Sequence, residues 1–323
     1  MPLSTLAGPF SSMFVFGDSL SDTGNLSVLT GGAQPGNTQP YFNGRFSDGP
    51  LWVEGLASGL GLTGQAASVF AGGNNYAFAG ARTGLDTSPP GVLAQAVGLW
   101  GAGSASLGLT GHLAADPNAL YVVVGGGNDM RDARSAAGGT SATRAAAAGL
   151  AVNNLATTIG YLASMGAKNI LISTLPDLGY TPEAALLGLQ SASSDASYWF
   201  NSFIPGLMTF GSGLGLNMNL LDMAGLSSAI QLNPGNYGIT NTSLPCAGFT
   251  YSDLLVPFGV PVTSCDQSAF SDALHPSAYA HSLIADAALK VLGVPEPGSL
   301  ALFGLAILAL AIARRRPTLQ RTL

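Results

Sequence analysis

The chain is predicted to be α/β, a flavodoxin-like three-layer α/β/α sandwich around a five-stranded parallel sheet in the order 2-1-3-4-5. Two observations carry this expectation. Short apolar runs recur at Met13-Phe14-Val15-Phe16, Leu120–Val124, Asn169–Ser173 and Asn217–Leu221, each short enough for a strand buried on both faces. Helix-like segments fall between them, and strands alternating with helices imply parallel pairing through right-handed crossovers. A length of 323 residues suffices for one large domain of this kind.

The first strand is expected at about residues 12–16. A turn-rich insertion follows, with Pro35, Gly36, Pro40 and Asn43, up to Pro50. A helix is predicted to start near Asp48 as N-cap, with Pro50 in its first turn, and to run through Trp52, Leu56 and Leu60. The second strand is placed at Asn75–Phe78. The Gly/Ser/Ala stretch 98–111 reads as a loose crossover, and the third strand as Leu120–Val124. The alanine-rich run 141–165 predicts a long helix with a stripe of Leu150, Leu155, Ile159 and Leu162, ended by Gly166. The fourth strand, 169–173, follows at once. A helix over 193–214 is expected to be interrupted at Pro205, and the fifth strand is Asn217–Leu221. Residues 227–273 read as loops. A last helix is expected from Pro276 through Ala280, Leu283, Ile284, Ala287, Leu289 and Val291.

Chemistry is suggested first by Gly17-Asp18-Ser19-Leu20-Ser21-Asp22-Thr23-Gly24-Asn25, directly after the first strand. Open α/β sheets bind ligands beyond the carboxyl ends of their strands, at the switch in strand order. A serine there is a candidate nucleophile once a base takes its proton. Asp272-Ala273-Leu274-His275-Pro276 can supply the base: a carboxylate on one ring nitrogen fixes the tautomer and leaves the other nitrogen free. Gly125-Gly126-Gly127-Asn128-Asp129, after the third strand, offers an amide donor for a developing oxyanion. Asn75-Tyr76-Ala77-Phe78-Ala79-Gly80-Ala81 offers the N–H of Gly80.

On these four blocks the chain resembles the GDSL esterases and lipases, the SGNH hydrolases, over about residues 11–292. The resemblance implies the SGNH hydrolase fold and places the family's Ser, Gly, Asn and His at Ser19, Gly80, Asn128 and His275. The segment Gly44-Arg45-Phe46-Ser47-Asp48-Gly49-Pro50-Leu51-Trp52-Val53 is similar to the larger secreted branch of that family. The expected catalytic residues are Ser19, Asp272 and His275. The expected oxyanion hole is Ser19 N–H, Gly80 N–H and the Asn128 amide. No cofactor or metal is called for.

Rivals exist for each role. His281 and His112 lack a carboxylate three residues upstream. Asp266 is the nearest alternative to Asp272, which could otherwise cap the last helix. Gly73 and Gly84 flank Gly80. Asp18 and Asp129 are expected to be structural, and Arg45 and Trp52 to be packing or surface elements. The hydrolase elbow Gly-x-Ser-x-Gly is absent, since Ser21 stands at its fifth position.

Composition narrows the rest. Charged residues are 9% and the net charge is −6, which argues against a nucleic-acid backbone as partner. The only lysines, Lys168 and Lys290, do not follow glycine, so a P-loop is excluded. The Gly211-Ser212-Gly213-Leu214-Gly215 run lacks a preceding strand and reads as a loop. Two cysteines and three histidines without ligand spacing give no zinc site. Cys246 and Cys265 suit one disulfide of an exported protein, about 3 kcal/mol on the chain-entropy model; the alternative is two buried thiols.

The two ends are read separately. Residues 1–10 have neither a basic n-region nor a long apolar h-region and read as an N-terminal extension rather than a signal peptide. From Val294 the character changes: Val294-Pro295-Glu296-Pro297, an apolar run over 298–313, then Arg314-Arg315-Arg316. This layout resembles the PEP-CTERM sorting signal of Gram-negative bacteria, whose partner is an exosortase, a membrane cysteine transpeptidase cutting near the Pro-Glu-Pro motif. The expected boundaries are 11–293 for the hydrolase domain, 294–316 for the signal and 317–323 for a cytoplasmic tail. The apolar run is then a transient inner-membrane helix, with the arginines inside and the mature domain extracellular or on the cell surface. The alternative is a plain C-terminal anchor. The expected activity is hydrolysis of a small ester or lipid through an acyl-enzyme on Ser19. The alternatives are O-deacetylation of an acylated glycan and a non-catalytic surface or matrix binding protein.

Overall fold

The computed structural model describes residues 9–35, 41–246 and 263–294. Its centre is a parallel sheet of four strands: β1 (Met13–Phe16), β2 (Leu120–Val123), β3 (Asn169–Ser173) and β4 (Asn217–Leu221), hydrogen-bonded in that order. The register runs Met13 to Leu120, Leu120 to Asn169 and Asn169 to Asn217. These are the runs predicted as strands one, three, four and five, and β1 and β2 are buried throughout.

The second strand of the prediction, 75–78, takes its expected outer place beside β1, but not as a regular strand. Val15 and Asn75 form a parallel bridge, Tyr76 N–H donates to Val15 O (2.8 Å) and Phe78 N–H to Gly17 O (3.1 Å). The ladder stops there because the buried Asn75 side chain takes over the local hydrogen bonds. Its Oδ1 accepts the N–H of Ala77, and its Nδ2 donates to the carbonyls of Ser21 and Ala66. Such side-chain bonds offer the backbone an alternative to the sheet.

Helices cover both faces. Alternate strand residues point to opposite sides, and the core divides accordingly. Phe14, Phe16, Tyr121, Val123, Ile170 and Ile172 pack against α3 (Ser141–Ser164) and α4 (Gln190–Gly213), with Trp100 between. Met13, Val15, Leu120, Val122, Leu171 and Leu221 pack against α1 (Trp52–Gly59) and α6 (Ala278–Val291). The helices α2 (Gly127–Ser135) and α5 (Met223–Leu232) follow β2 and β4 at the carboxyl end of the sheet.

Several local expectations are corrected. Asp48 does not cap α1: the N-cap is Leu51, whose N–H is taken by Glu54 (2.9 Å), while Asp48 Oδ1 accepts the N–H of Ala278 and so serves the distant α6. Leu150 is 65% exposed, whereas Leu155, Ile159 and Leu162 are buried. Pro205 does not break α4, because Phe200, Ile204 and Leu207 on either side are held in the core and outweigh one lost helix bond. The loose crossover contains a π-helical segment, Gln95–Ala102, that buries Trp100, followed by a short antiparallel pair, Gly103–Ser104 with Leu109–Thr110.

Cys246 and Cys265 form the expected disulfide. Among the described residues no helix is long and apolar enough to cross a membrane. The predicted membrane run 298–313 and the arginine cluster lie outside the described residues, as does most of the 1–10 extension.

Candidate active site

Glycine is required where β1 ends. A side chain at Gly17 would meet the Val124 carbonyl at 2.9 Å. The backbone of Gly17 is also clamped by the buried Gln95, whose Oε1 accepts the Gly17 N–H and whose Nε2 donates to the Gly17 carbonyl, both at 2.8 Å. The chain then turns tightly, with the Ser21 and Asp22 N–H groups on the Asp18 carbonyl, and Ser19 is left at the head of the turn, largely buried.

His275 reaches Ser19 from the far end of the chain. Its Nε2 lies 2.9 Å from Ser19 Oγ across a separation of 256 residues, and its Nδ1 lies 2.7 Å from Asp272 Oδ2. The three-residue spacing has a local cause. Asp272 Oδ1 accepts the N–H groups of Leu274 (2.8 Å) and His275 (2.7 Å), an Asx-type turn that folds the carboxylate back under the ring. Burial alone would raise the Asp272 pKa, but the His275 imidazole and these N–H donors outweigh it and hold the group at about 2. An ionised Asp272 is acceptor-only, so Nδ1 carries the proton and Nε2 presents its lone pair to the serine hydroxyl.

Asn128 opens α2 and shares a cleft with Ser19 and His275. Its Nδ2 donates to the Ala81 carbonyl (2.9 Å), which leaves one amide hydrogen for the cleft and ties it to the Gly80 block. Gly80 has φ +81°, a left-handed conformation that favours glycine. Among the described residues, neither the Ser19 nor the Gly80 N–H donates a hydrogen bond within the protein. Asp22 joins the two blocks: it accepts from Gly24, Asn25 and Leu26 on its own turn and from Ala79, next to Gly80.

The other acids have distinct settings. Burial pushes Asp18 up to about 6, against the N–H of Leu20. Burial also raises Asp129, which receives the N–H and hydroxyl of Thr83 and so ties α2 to the Gly80 loop. Asp266 lies within a short 3-10 turn, Cys265–Gln267. His112 is stacked on Trp100 at 4.8 Å, with Nδ1 2.9 Å from the Trp100 carbonyl. His281 is buried on α6, accepting the Trp52 N–H at Nδ1, and burial pushes its pKa down to about 3.

Three contributors had no signature in the sequence reading. Gln95 clamps the nucleophile strand. Tyr41 Oη donates to Asp272 Oδ2 at 2.8 Å. Glu183 receives both Arg131 and Arg134 from α2, while its N–H donates to the Ala273 carbonyl in the acid–base segment (2.8 Å). Only the insertion between nucleophile and first helix, which has to lie beside the serine, hinted at a residue such as Tyr41.

The cleft beyond Ser19 has a volume of about 960 Å³, including space open to solvent. Its lining is largely apolar, with Leu178, Met223, Leu226, Ile230, Phe270 and Ile284 forming an apolar wall, while Arg131 and Asp177 stand among its polar residues.

Comparison with known proteins bears on the family of the chain. The family profile GDSL-like Lipase/Acylhydrolase matches residues 13–288, and the PEP-CTERM protein-sorting motif, a mark of export in Gram-negative bacteria, matches residues 293–316. A phosphatidylcholine-sterol acyltransferase of Aeromonas hydrophila is 30% identical, over 81% of this chain and 73% of its own length. Esterase EstA of Pseudomonas aeruginosa is 29% identical over 89% of this chain, and an uncharacterized protein of Pseudomonas putida is 31% identical over 89%. The chain spans about half the length of these two Pseudomonas relatives, 47% and 49%. Among solved structures, an extracellular lipase from Streptomyces rimosus aligns over 88% of this chain and 99% of its own at 16% identity, with a TM-score of 0.42. By the family profile, which covers most of its length, the chain belongs to the GDSL-like lipases and acylhydrolases.

Proposed function

We propose that this chain is an exported serine esterase that hydrolyses carboxylic esters with an apolar acyl chain through an acyl-enzyme on Ser19. The observation that carries the reading is the relay from Ser19 Oγ through the His275 ring to Asp272, 2.9 Å and 2.7 Å. His275 Nε2 takes the hydroxyl proton as Ser19 Oγ attacks the acyl carbon. The carbonyl π electrons move onto oxygen, where the Ser19 N–H, the Gly80 N–H and the free Asn128 amide hydrogen supply donors. The intermediate collapses, the bond to the alcohol oxygen breaks, and that oxygen leaves with the proton from Nε2. A water then attacks the acyl-enzyme, giving its proton to Nε2, and the carboxylic acid leaves as Ser19 is reprotonated.

The apolar wall supports a hydrocarbon acyl group over the acetyl group of a glycan, because few polar groups face that side to bind sugar hydroxyls. The names of two relatives, an esterase and an acyltransferase, support acyl chemistry at the serine. Residues 11–293 form the working domain in this reading. Residues 294–316 act as the sorting signal, inserted through the 298–313 run and cut near Pro295-Glu296-Pro297 by an exosortase-type enzyme. The domain is then left outside the cell, and residues 317–323 go with the discarded tail.

The test is a series of p-nitrophenyl esters from acetate to palmitate. Each methylene that enters the apolar wall is expected to raise kcat/KM up to about fourfold until the wall is filled. Ser19→Ala is expected to abolish turnover, and a fluorophosphonate is expected to label Ser19. Turnover by Ser19→Ala overturns the nucleophile; a panel in which only acetylated glycans react overturns the acyl preference.

A further inference from the structure

We infer that Tyr41 is a positioning residue of the proton relay: its hydroxyl, donating to Asp272 Oδ2, holds that carboxylate in place and limits the charge it presents to His275. The inference rests on the serine-hydrolase reading above and concerns a residue outside its machinery.

The geometry is specific. Asp272 Oδ2 receives two donors, Tyr41 Oη at 2.8 Å and His275 Nδ1 at 2.7 Å. Asp272 Oδ1 receives the backbone N–H groups of Leu274 and His275. Both oxygens are therefore doubly engaged, and the tyrosine is the one side-chain donor among them besides the imidazole itself. Its partners lie 231 residues apart in sequence, so the contact belongs to the fold and not to a local turn.

Tyr41 is held there by its own segment. Phe42 N–H donates to Ser47 O, Arg45 N–H returns to Phe42 O, and the Arg45 guanidinium grips both carboxylate oxygens of Glu54 on α1. The Tyr41 ring meets Phe46 edge-on at 5.7 Å, and Phe46 lies 5.1 Å from the His275 ring. Residues 41–47 thus bring a hydroxyl to Asp272 and an aromatic ring beside His275. Burial and the adjacent carboxylate push the Tyr41 pKa well above its ordinary value, so the hydroxyl remains a donor throughout the working pH range.

The consequence follows from hydrogen bonding to a charged group. A carboxylate that already receives a strong donor is less basic and attracts an imidazolium less. The hydroxyl therefore favours the neutral imidazole, the form that can take a proton from Ser19. It also fixes the rotation of the carboxylate about its bond to Cβ, and with it the ring plane of His275. The other titratable groups around the imidazole are Asp18 from the nucleophile turn and His281 from α6, which act on it through space. Asp48 is committed to Ser271 and Ala278. Among the described residues none of these is bonded to Asp272 Oδ2.

The experiment uses the full chain and Tyr41→Phe, with kcat and KM for p-nitrophenyl butyrate measured from pH 4.5 to 9. The expected result is an acid limb of the kcat/KM profile moved up by about half a pH unit, kcat about tenfold lower at the optimum and KM unchanged. Should Tyr41→Phe fail to fold, 3-fluorotyrosine at position 41 keeps the ring and strengthens the donor, and the limb is expected to move down. An unmoved acid limb overturns the inference, whether kcat is kept or falls together with the thermal midpoint, since a packing role alone has no reason to shift a titration. Failure of the hydrolase reading looks different: the wild-type chain itself then shows no fluorophosphonate adduct on Ser19 and no ester turnover.

Discussion

A serine hydroxyl is worth little to catalysis until its surroundings take a proton from one side and stabilise charge on the other, and the proposed mechanism puts Asn128 on the second side. One of its amide hydrogens is committed to the Ala81 carbonyl, so in that mechanism only the other is available to a developing oxyanion. Asn128→Ala is expected to lower kcat about a hundredfold, about 3 kcal/mol of barrier, with KM for a short ester little changed, because the donor acts on charge that exists only in the transition state. Steady-state kinetics on p-nitrophenyl butyrate checks this; a loss confined to KM contradicts it. Ser19, Asn128, Asp272 and His275 could be singled out in the sequence because each stands in a short local frame of glycine or turn residues, and the structure joins Ser19, His275 and Asp272 by hydrogen bonds. Asp272-x-x-His275 shows how local that frame is, since two backbone N–H groups within three residues build it. Gln95 was not legible. Its clamp on Gly17 is a contact 78 residues long, and a glutamine in an apolar stretch has no local pattern that marks it.

At the scale of the element, the strands were readable and their partners less so. A parallel strand buried on both faces needs an unbroken apolar run, and β1, β2 and β3 have one. The segment 75–78 looks the same in composition, yet the Asn75 side chain diverts its hydrogen bonds. Asp48 has the look of a local cap but caps a helix 230 residues away. The last helix also carries a stability cost that its amphipathic pattern conceals. His281 Nδ1 accepts the Trp52 N–H, and burial pushes its pKa down to about 3. Its ordinary value is 6.5. Below pH 6.5 the unfolded chain therefore takes up a proton that the folded chain refuses, so this contribution to stability is full above about 6.5 and is lost as the pH falls toward 3. Asp272 adds loss in the same direction at lower pH, between its ordinary 3.8 and about 2. Asp18, raised to about 6, works in the opposite sense, its share being lost as the pH rises from 3.8 toward 6. His281→Asn keeps an acceptor for Trp52 without a titrating ring. Urea unfolding at a series of pH values is expected to show a shallower fall in stability from pH 6.5 to 4 than in the wild type; equal slopes contradict the assignment.

For the whole molecule, the parallel sheet explains how residues at opposite ends of the sequence meet. Parallel strands all deliver their carboxyl ends to one edge, so the turn after β1 and the start of α2 after β2 gather there regardless of chain separation, and the loop before α6 is joined to them by the His275–Ser19 contact. That much was legible from the alternation of strand and helix. The apolar wall was not, because it is assembled from α5, Phe270 and α6, whose mutual placement no single stretch of sequence records. The Cys246–Cys265 bridge belongs to this scale too. It closes 19 residues of chain on the approach to the acid–base segment, and an oxidising compartment is where such a bond persists. The sorting motif at residues 293–316 directs the chain toward export, so the covalent link and the destination are mutually consistent. On the chain-entropy model a loop of this length contributes about 3 kcal/mol by restricting the unfolded ensemble. The double variant Cys246→Ser, Cys265→Ser is expected to lose about that much in urea unfolding relative to the oxidised wild type. Wild-type protein unfolded in the presence of a thiol reductant is expected to fall to the level of the double variant. Because the effect lies in the unfolded chain, kcat for a short ester at 25 °C is expected to remain within about twofold of the wild type. A variant as stable as the oxidised protein contradicts the contribution assigned to the bridge, and a folded variant with a much lower kcat assigns the bridge to shaping the site instead.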